Sequence, residues 1–145
     1  MFLNELNKQE AIAFLNLVNQ FARIDEVFAK EEKALLDDYL NELNIKETEV
    51  TSMKYEEVMA ELKKITNRKK SIVYFELVGL ALVDGEYEEK EVDFLDKIAV
   101  DLDIRRDKKI AFANYFYNFK EIYEFSTVEA ENKIELLKDE AEALL

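Results

Sequence analysis

Apolar residues recur at intervals of three and four along almost the whole chain, which is the spacing of one face of an α-helix. Breaks in this pattern divide the chain into seven segments, and each segment is predicted to form a helix. The predicted helices cover about residues 8–23, 29–43, 54–65, 67–83, 88–102, 106–124 and 127–144. The pattern therefore predicts an all-α fold of about seven helices.

Polar residues at the predicted helix starts support these boundaries. Asn7 precedes Glu10 by three residues, and Ser126 precedes Glu129 by three, so both pairs have the capping-box pattern. Asn67 is predicted to cap the fourth helix. This fourth helix is apolar on most sides, which predicts a position at the centre of the fold.

An internal repeat is visible at a constant shift of 59 positions (84 minus 25). The first copy, residues 21–45, reads FARIDEVFAKEEKALLDDYLNELNI, and the second, residues 80–104, reads LALVDGEYEEKEVDFLDKIAVDLDI. Matching apolar positions follow from helix packing alone. The matches between acidic residues do not follow from helix packing. Asp25 aligns with Asp84, and Glu32 aligns with Glu91.

Each copy contains the end of one helix, a short turn and a second helix. Two such hairpins predict a pseudo-symmetric bundle in which paired helices bury each other's apolar faces. The copies extend over about residues 8–45 and 67–104, and the last helix, about 127–144, follows them. No Pro-, Gly- or Ser-rich linker interrupts the chain, so residues 1–145 are predicted to form a single domain.

Composition narrows the possible chemistry. The chain has no Cys, no His and no Pro, and it has two Gly. These absences exclude thiol nucleophiles, disulfides, zinc fingers and His-based acid–base catalysis, so a bound metal would be a hard cation on oxygen ligands. The formal net charge of −13 disfavours nucleic-acid binding. The start of the sequence is unlike a signal peptide and no apolar run is long enough to span a bilayer, which predicts a cytoplasmic protein.

The stretch LALVDGEYEEKE, residues 80–91, is ordered like the second half of a calcium-binding loop. In that register Asp84 takes the fifth position and Glu91 takes the twelfth, bidentate position. The first and third positions fall on Leu80 and Leu82, which cannot ligate a cation. The stretch is therefore not a complete calcium loop.

Asp25 and Asp84 are each predicted at the C-terminal end of a helix, where the helix dipole disfavours an anion. In one interpretation each carboxylate accepts hydrogen bonds from backbone N–H groups and only shapes the corner. In the other, the pseudo-twofold brings both Asp residues together, and they share a divalent cation with Glu32 and Glu91. The residues alone leave both interpretations open.

The duplicated pattern Ala-x-x-Asp-(Gly)-x-aromatic-x-x-x-Glu resembles the tellurite-resistance TerB-like family over roughly residues 8–125. The best match runs from Ala81 to Tyr87 and ends at Glu91, whereas the first copy has Glu26 in place of the glycine. The resemblance implies an acidic all-α protein of a bacterial tellurite-resistance and stress-response system, with membrane-embedded and cytoplasmic protein partners. It also implies a bound divalent cation such as calcium, magnesium or manganese. The implied ligands are Asp25, Glu32, Asp84 and Glu91.

The segment FANYFYNFKEIYEF, residues 112–125, is dense in aromatic side chains. Tyr117 and Phe125 fall off its main stripe, so they are predicted either to pack under the last helix or to form a partner or homodimer surface. The stripe itself is predicted to be core. Its members are Phe112, Tyr115, Phe116, Phe119 and Tyr123.

Catalysis is not expected, because the candidate carboxylates are predicted on surface turns without a glycine-rich phosphate cradle or a cleft-forming segment. The sequence therefore predicts a non-catalytic protein that binds a divalent cation, or docks a partner, through its repeated acidic residues. The alternative is a helical protein–protein interaction module that binds no metal.

Overall fold

The computed structural model describes residues 2–24, 26–83, 88–120 and 137–145. Seven helices and no strand occur in these ranges, and two short 3-10 turns are present at Leu3–Glu5 and Glu47–Glu49. The prediction of an all-α fold with about seven helices is confirmed. The helices are α1 (Lys8–Ala22), α2 (Glu26–Leu43), α3 (Tyr55–Leu62), α4 (Asn67–Val83), α5 (Glu89–Asp101), α6 (Arg106–Lys120) and α7 (137–144).

Side-chain caps fix the starts of two of these helices. The Asn7 side chain accepts a hydrogen bond of 2.9 Å from the backbone N–H of Glu10, as predicted for α1. For α4 the predicted cap is wrong by one position. Thr66 holds the cap, since its hydroxyl accepts from Lys69 N at 3.3 Å, and Asn67 is the first helical residue. The Ser126 start lies outside the described residues.

The central position predicted for α4 is confirmed. Helix α1 packs against α2 and α3, and α4 packs in the same way against α5 and α6, while the 3-10 turn Leu3–Glu5 contacts both α2 and α4. From Ser71 to Leu82, every α4 residue is buried except the half-buried Glu76 and Leu80. Burial of apolar side chains from all seven helices in one core is the main force that holds the bundle together.

Gly79 permits a close approach between α4 and α6. A Cβ atom at this position would lie 2.7 Å from Cζ and 2.9 Å from Cε1 of Phe116, which is closer than such atoms normally come. The Phe116 ring is itself held between aromatic neighbours, with ring centroids 4.7 Å from Phe75 and 5.0 Å from Tyr115. Glycine here removes a steric obstacle, at some cost in intrinsic helix stability.

Two amide side chains of α1 hold the extended segment that precedes α3. The buried Asn16 donates from Nδ2 to the carbonyls of Ile12 and Thr51, both at 2.9 Å, and its Oδ1 accepts from Met53 N at 2.9 Å. One turn later, Gln20 Nε2 donates to Met53 O at 3.0 Å. A polar residue is therefore tolerated in the core because its hydrogen bonds are made there.

Helices α2 and α5 end in the same backbone motif, 59 residues apart. Asn44 and Asp103 both have positive φ, 54° and 55°, in the left-handed region that usually follows a helix. The next residue donates back across the last turn in each case. Ile45 N bonds to Leu40 O at 3.0 Å, and the matching pair is Ile104 N to Ala99 O at 2.8 Å.

Candidate functional site

Glu91, one of the four predicted cation ligands, is fully buried. It is the third residue of α5, and its exposed fraction is 0%. Leu95 and Ile98, four and seven residues further along, are also 0% exposed, so all three side chains lie on the core face of the helix. The expectation that this carboxylate sits on a surface turn is wrong.

A carboxylate placed this deeply must be compensated by hydrogen bonds, a proton or a cation, because burial of a bare charge is costly. Part of the compensation is local. Glu91 lies in the first turn of α5, where the backbone N–H groups and the helix dipole favour an anion. An apolar residue would fill this position without the cost of burying a charge. The buried carboxylate is therefore the strongest indication of a functional site.

The other three predicted ligands are not placed by the structure. Asp25 and Asp84 lie outside the described residues, and so does the side chain of Glu32, although its backbone belongs to α2. The predicted meeting of the two Asp residues therefore stays a prediction. Within residues 2–24, 26–83, 88–120 and 137–145, no three carboxylates converge as a metal would require.

Two tyrosine–carboxylate pairs were not anticipated from the sequence. The buried Tyr39 of α2 donates from its hydroxyl to Glu76 Oε1 of α4 at 3.0 Å, and its ring packs edge-on against Phe14. Tyr55 of α3 donates to Asp101 Oδ2 of α5 at 2.5 Å. Burial and the neighbouring carboxylate raise the pKa of both tyrosines, so each hydroxyl keeps its proton and its donor role.

These pairs join helices that are distant in sequence. Tyr39 connects α2, in the first predicted repeat copy, to α4 in the second, and Tyr55 connects α3, which lies between the two copies, to α5. Phe94 of α5 adds an apolar link, with ring centroids 6.1 Å from Phe21 and 5.9 Å from Tyr55. The contacts orient α5, and with it Glu91, against α1 and α3. Their role is structural positioning.

The aromatic stripe of α6 is largely confirmed as core. Phe112, Tyr115 and Phe116 are buried, whereas the side chains of Phe119 and Tyr123 lie outside the described part of the chain. Tyr117 is 54% exposed, consistent with its place off the stripe. Ile110, seven residues earlier on the same face of α6, is 52% exposed, and Val100 at the end of α5 is 74% exposed. Of these three exposed apolar residues, sequence reasoning singled out only Tyr117, and Phe125 lies outside the described residues.

Comparisons with protein-family models, with curated proteins and with solved structures found no match to this chain. The resemblance to the TerB-like family therefore depends on the duplicated hairpin motif. None of the helices in the described ranges is both long and apolar enough to cross a membrane.

Proposed function

We propose that this chain is a non-catalytic, TerB-like protein that binds a divalent cation at its duplicated helical hairpins. Glu91 anchors the cation, and Asp84 from the same hairpin, with Asp25 and Glu32 from the first copy, completes the set of oxygen ligands. Calcium, magnesium and manganese are the ions that such a set prefers. By its resemblance to the family, the protein serves a bacterial response to tellurite and related stresses in the cytoplasm.

The observation that carries the proposal is the complete burial of Glu91 beside Leu95 and Ile98. In a chain with 33 acidic residues, the solvent-exposed surface can hold most carboxylates without cost. Carboxylates are rarely fully buried unless they are paired or coordinate a metal, so the burial of Glu91 supports a cation site at the head of α5.

The matched helix ends support a duplicated origin for the two hairpins. Asn44 and Asp103 have the same backbone conformation at the repeat distance, and their neighbours make the same hydrogen bonds. The packing of α1 on α2 and α3 also parallels that of α4 on α5 and α6. Glu32 aligns with Glu91 at the repeat distance, but α2 begins at Glu26, so Glu32 is the seventh residue of its helix and Glu91 is the third residue of its own.

Calorimetric titration of calcium, magnesium and manganese tests the site directly. The wild type is compared with Glu91→Gln and with an Asp25→Asn, Asp84→Asn double variant. Glu89→Gln is the matched control, because Glu89 is exposed, lies in the same helical turn and loses the same charge. We expect saturable heat from the wild type and the control, and its loss from the other two variants.

A cation that binds only the folded state also raises the melting temperature. At a free ion concentration 100 times Kd the stabilisation is about 2.7 kcal/mol, which corresponds to about 9 °C for a chain of this length. Glu91→Gln should abolish this rise and Glu89→Gln should keep it. Absence of heat and of any thermal shift with all three ions would contradict the cation site.

Two exposed apolar side chains on one face of α6, Ile110 and Tyr117, favour a second function, a helical interaction module. A double variant, Ile110→Asp with Tyr117→Ser, would abolish self-association measured by light scattering and would not change the ion titrations. Loss of association in this variant, together with silent ion titrations, would establish the second function in place of the first.

A further inference from the structure

A surface groove crosses the C-terminal end of α2. It consists of two adjoining cavities of about 690 and 380 Å³, and Asn44, Ile45 and Glu49 line both of them. The larger cavity lies along the second half of α2, and the smaller one reaches the turn Leu3–Glu5 and the start of α1. We call this surface the α2 groove. Concave surfaces of this size are typical of ligand-binding sites.

The α2 groove has an apolar floor and a polar rim. Ile45 is 8% exposed, and Leu40 and Leu43 are half-buried beside it. The rim carries exposed amides and carboxylates, namely Asn4, Asn41, Asn44, Asp37, Glu42 and Glu47. A side-chain amide both donates and accepts hydrogen bonds, so it can bind the N–H and the C=O groups of an extended peptide backbone.

The charge of the α2 groove is predominantly negative, since carboxylates outnumber lysines four to two along its lining. One carboxylate is compensated, because Lys8 pairs with Glu49 at 3.2 Å, and this hydrogen bond lowers the pKa of Glu49. Among the residues that the structure describes, Asp37, Glu42 and Glu47 have no ion-pair partner. Helix α2 also has no basic residue in its last turn, so its dipole favours a cation at this end.

Contacts outside the α2 groove hold its walls in place. At the smaller cavity, Arg68 of α4 binds the two oxygens of Glu5 at 2.8 and 2.9 Å and pairs with Glu142 of α7 at 2.8 Å. At the larger cavity, the backbone bond of 3.0 Å from Ile45 N to Leu40 O fixes the chain where it leaves α2. The groove is therefore formed before a ligand binds, which lowers the entropic cost of binding.

We propose that the α2 groove binds an extended basic segment of a partner protein. Lysine and arginine heads of the segment pair with the rim carboxylates, while their methylene stems lie on the apolar floor. The amide of Asn41 bonds the backbone of the segment. The carboxylates fit an extended ligand because Asp37 and Glu47 line the larger cavity and Glu42 lines the smaller one. This interaction is independent of the cation site proposed at Glu91.

Fluorescence anisotropy of a labelled synthetic peptide of alternating lysine and valine tests the proposal with the full-length chain. Asp37→Asn with Glu47→Gln should weaken binding by about tenfold, because two exposed charge pairs are lost. Asp93→Asn with Glu89→Gln is the matched control, since it removes the same charges from exposed positions of α5 and should leave the Kd nearly unchanged. Asn41→Ala changes no charge and should weaken binding by about threefold.

Four results would overturn the proposal. Equal weakening by the groove variant and the control would show that the peptide follows the net charge of the chain. Equal affinity for a peptide with glutamate in place of lysine, or no binding of the lysine peptide, would exclude a basic segment. A wild-type dimer in light scattering that the groove variant makes monomeric would assign the groove to a second copy of the chain. Circular dichroism checks folding, and Glu42→Gln replaces Glu47→Gln if that variant does not fold.

Discussion

Substituting Gly79 with alanine sets two effects of known size against each other. In the middle of a helix, Gly→Ala normally stabilises by about 1 kcal/mol, because glycine is the poorer helix former. In α4 the new Cβ would lie 2.7 Å from Phe116 Cζ. To reach an ordinary carbon–carbon separation of about 3.5–4.0 Å, the ring must retreat by roughly 1 Å.

The ring has little room to retreat, because Phe75 and Tyr115 pack against it with centroids at 4.7 and 5.0 Å. Overpacking of this kind costs about 1–3 kcal/mol. The steric cost therefore exceeds the gain in helix propensity. We expect Gly79→Ala to lower the free energy of unfolding by about 1 kcal/mol and the melting temperature by about 3 °C.

Urea denaturation followed by circular dichroism measures the change, and a double-mutant cycle assigns its cause. In a Phe116→Leu background the clash is relieved, so Gly79→Ala should there stabilise the protein by up to about 1 kcal/mol. Asn114→Ala, at an exposed position of α6, is the control for helix propensity alone and should stabilise by a few tenths of a kcal/mol. A more stable Gly79→Ala single variant, or an identical effect in both backgrounds, would refute the steric argument.

Two further predictions concern buried polar groups. Asn16→Ala should destabilise the fold by about 2–3 kcal/mol, because it removes three hydrogen bonds and leaves their backbone partners unsatisfied. Gln20→Ala removes one hydrogen bond and should cost about 1 kcal/mol. Urea denaturation measures both changes, and equal losses of stability would count against this explanation. Burial raises the pKa of Tyr115 to about 12, so above the unfolded-state value of about 10 the folded state keeps a proton that the unfolded state releases. Stability should therefore fall as the pH rises from about 10 to about 12. Denaturation at pH 9 and pH 11 should show a smaller fall for Tyr115→Phe, and an unchanged fall would contradict the role assigned to this hydroxyl.

The helices and the central place of α4 could be predicted because they depend on local, periodic information. The run from Ile72 to Leu82 is apolar on most sides, so most of its side chains can be buried only if neighbouring helices surround it. The cap of α4 could not be fixed in the same way. Thr66 and Asn67 are both good capping residues, and the choice between them depends on how the preceding chain approaches the helix.

The candidate functional residues were harder to place, because a charged side chain is normally expected on the protein surface. Glu91 was expected at a solvent-exposed turn, yet its spacing to Leu95 and Ile98 already placed it on the apolar stripe of α5. Buried Asn16 had no such signal, since two of its three hydrogen-bond partners, Thr51 O and Met53 N, come from a distant part of the chain. Contacts between distant parts of the chain decide such positions, and a local pattern contains no information about them.

The two carboxylates held by Arg68, those of Glu5 and Glu142, come from segments 137 residues apart (142 minus 5). One guanidinium group spans only a few ångströms, so both segments meet at the same pole of the bundle. A short peptide linker between them would close the backbone into a ring without crossing the molecule. Such a ring restricts the unfolded chain far more than the folded one, by up to roughly 4–5 kcal/mol for a loop of this size. The cyclised chain could then be reopened at the turn Glu47–Glu49, which gives a circular permutant with the same packing between helices and a different order of helices.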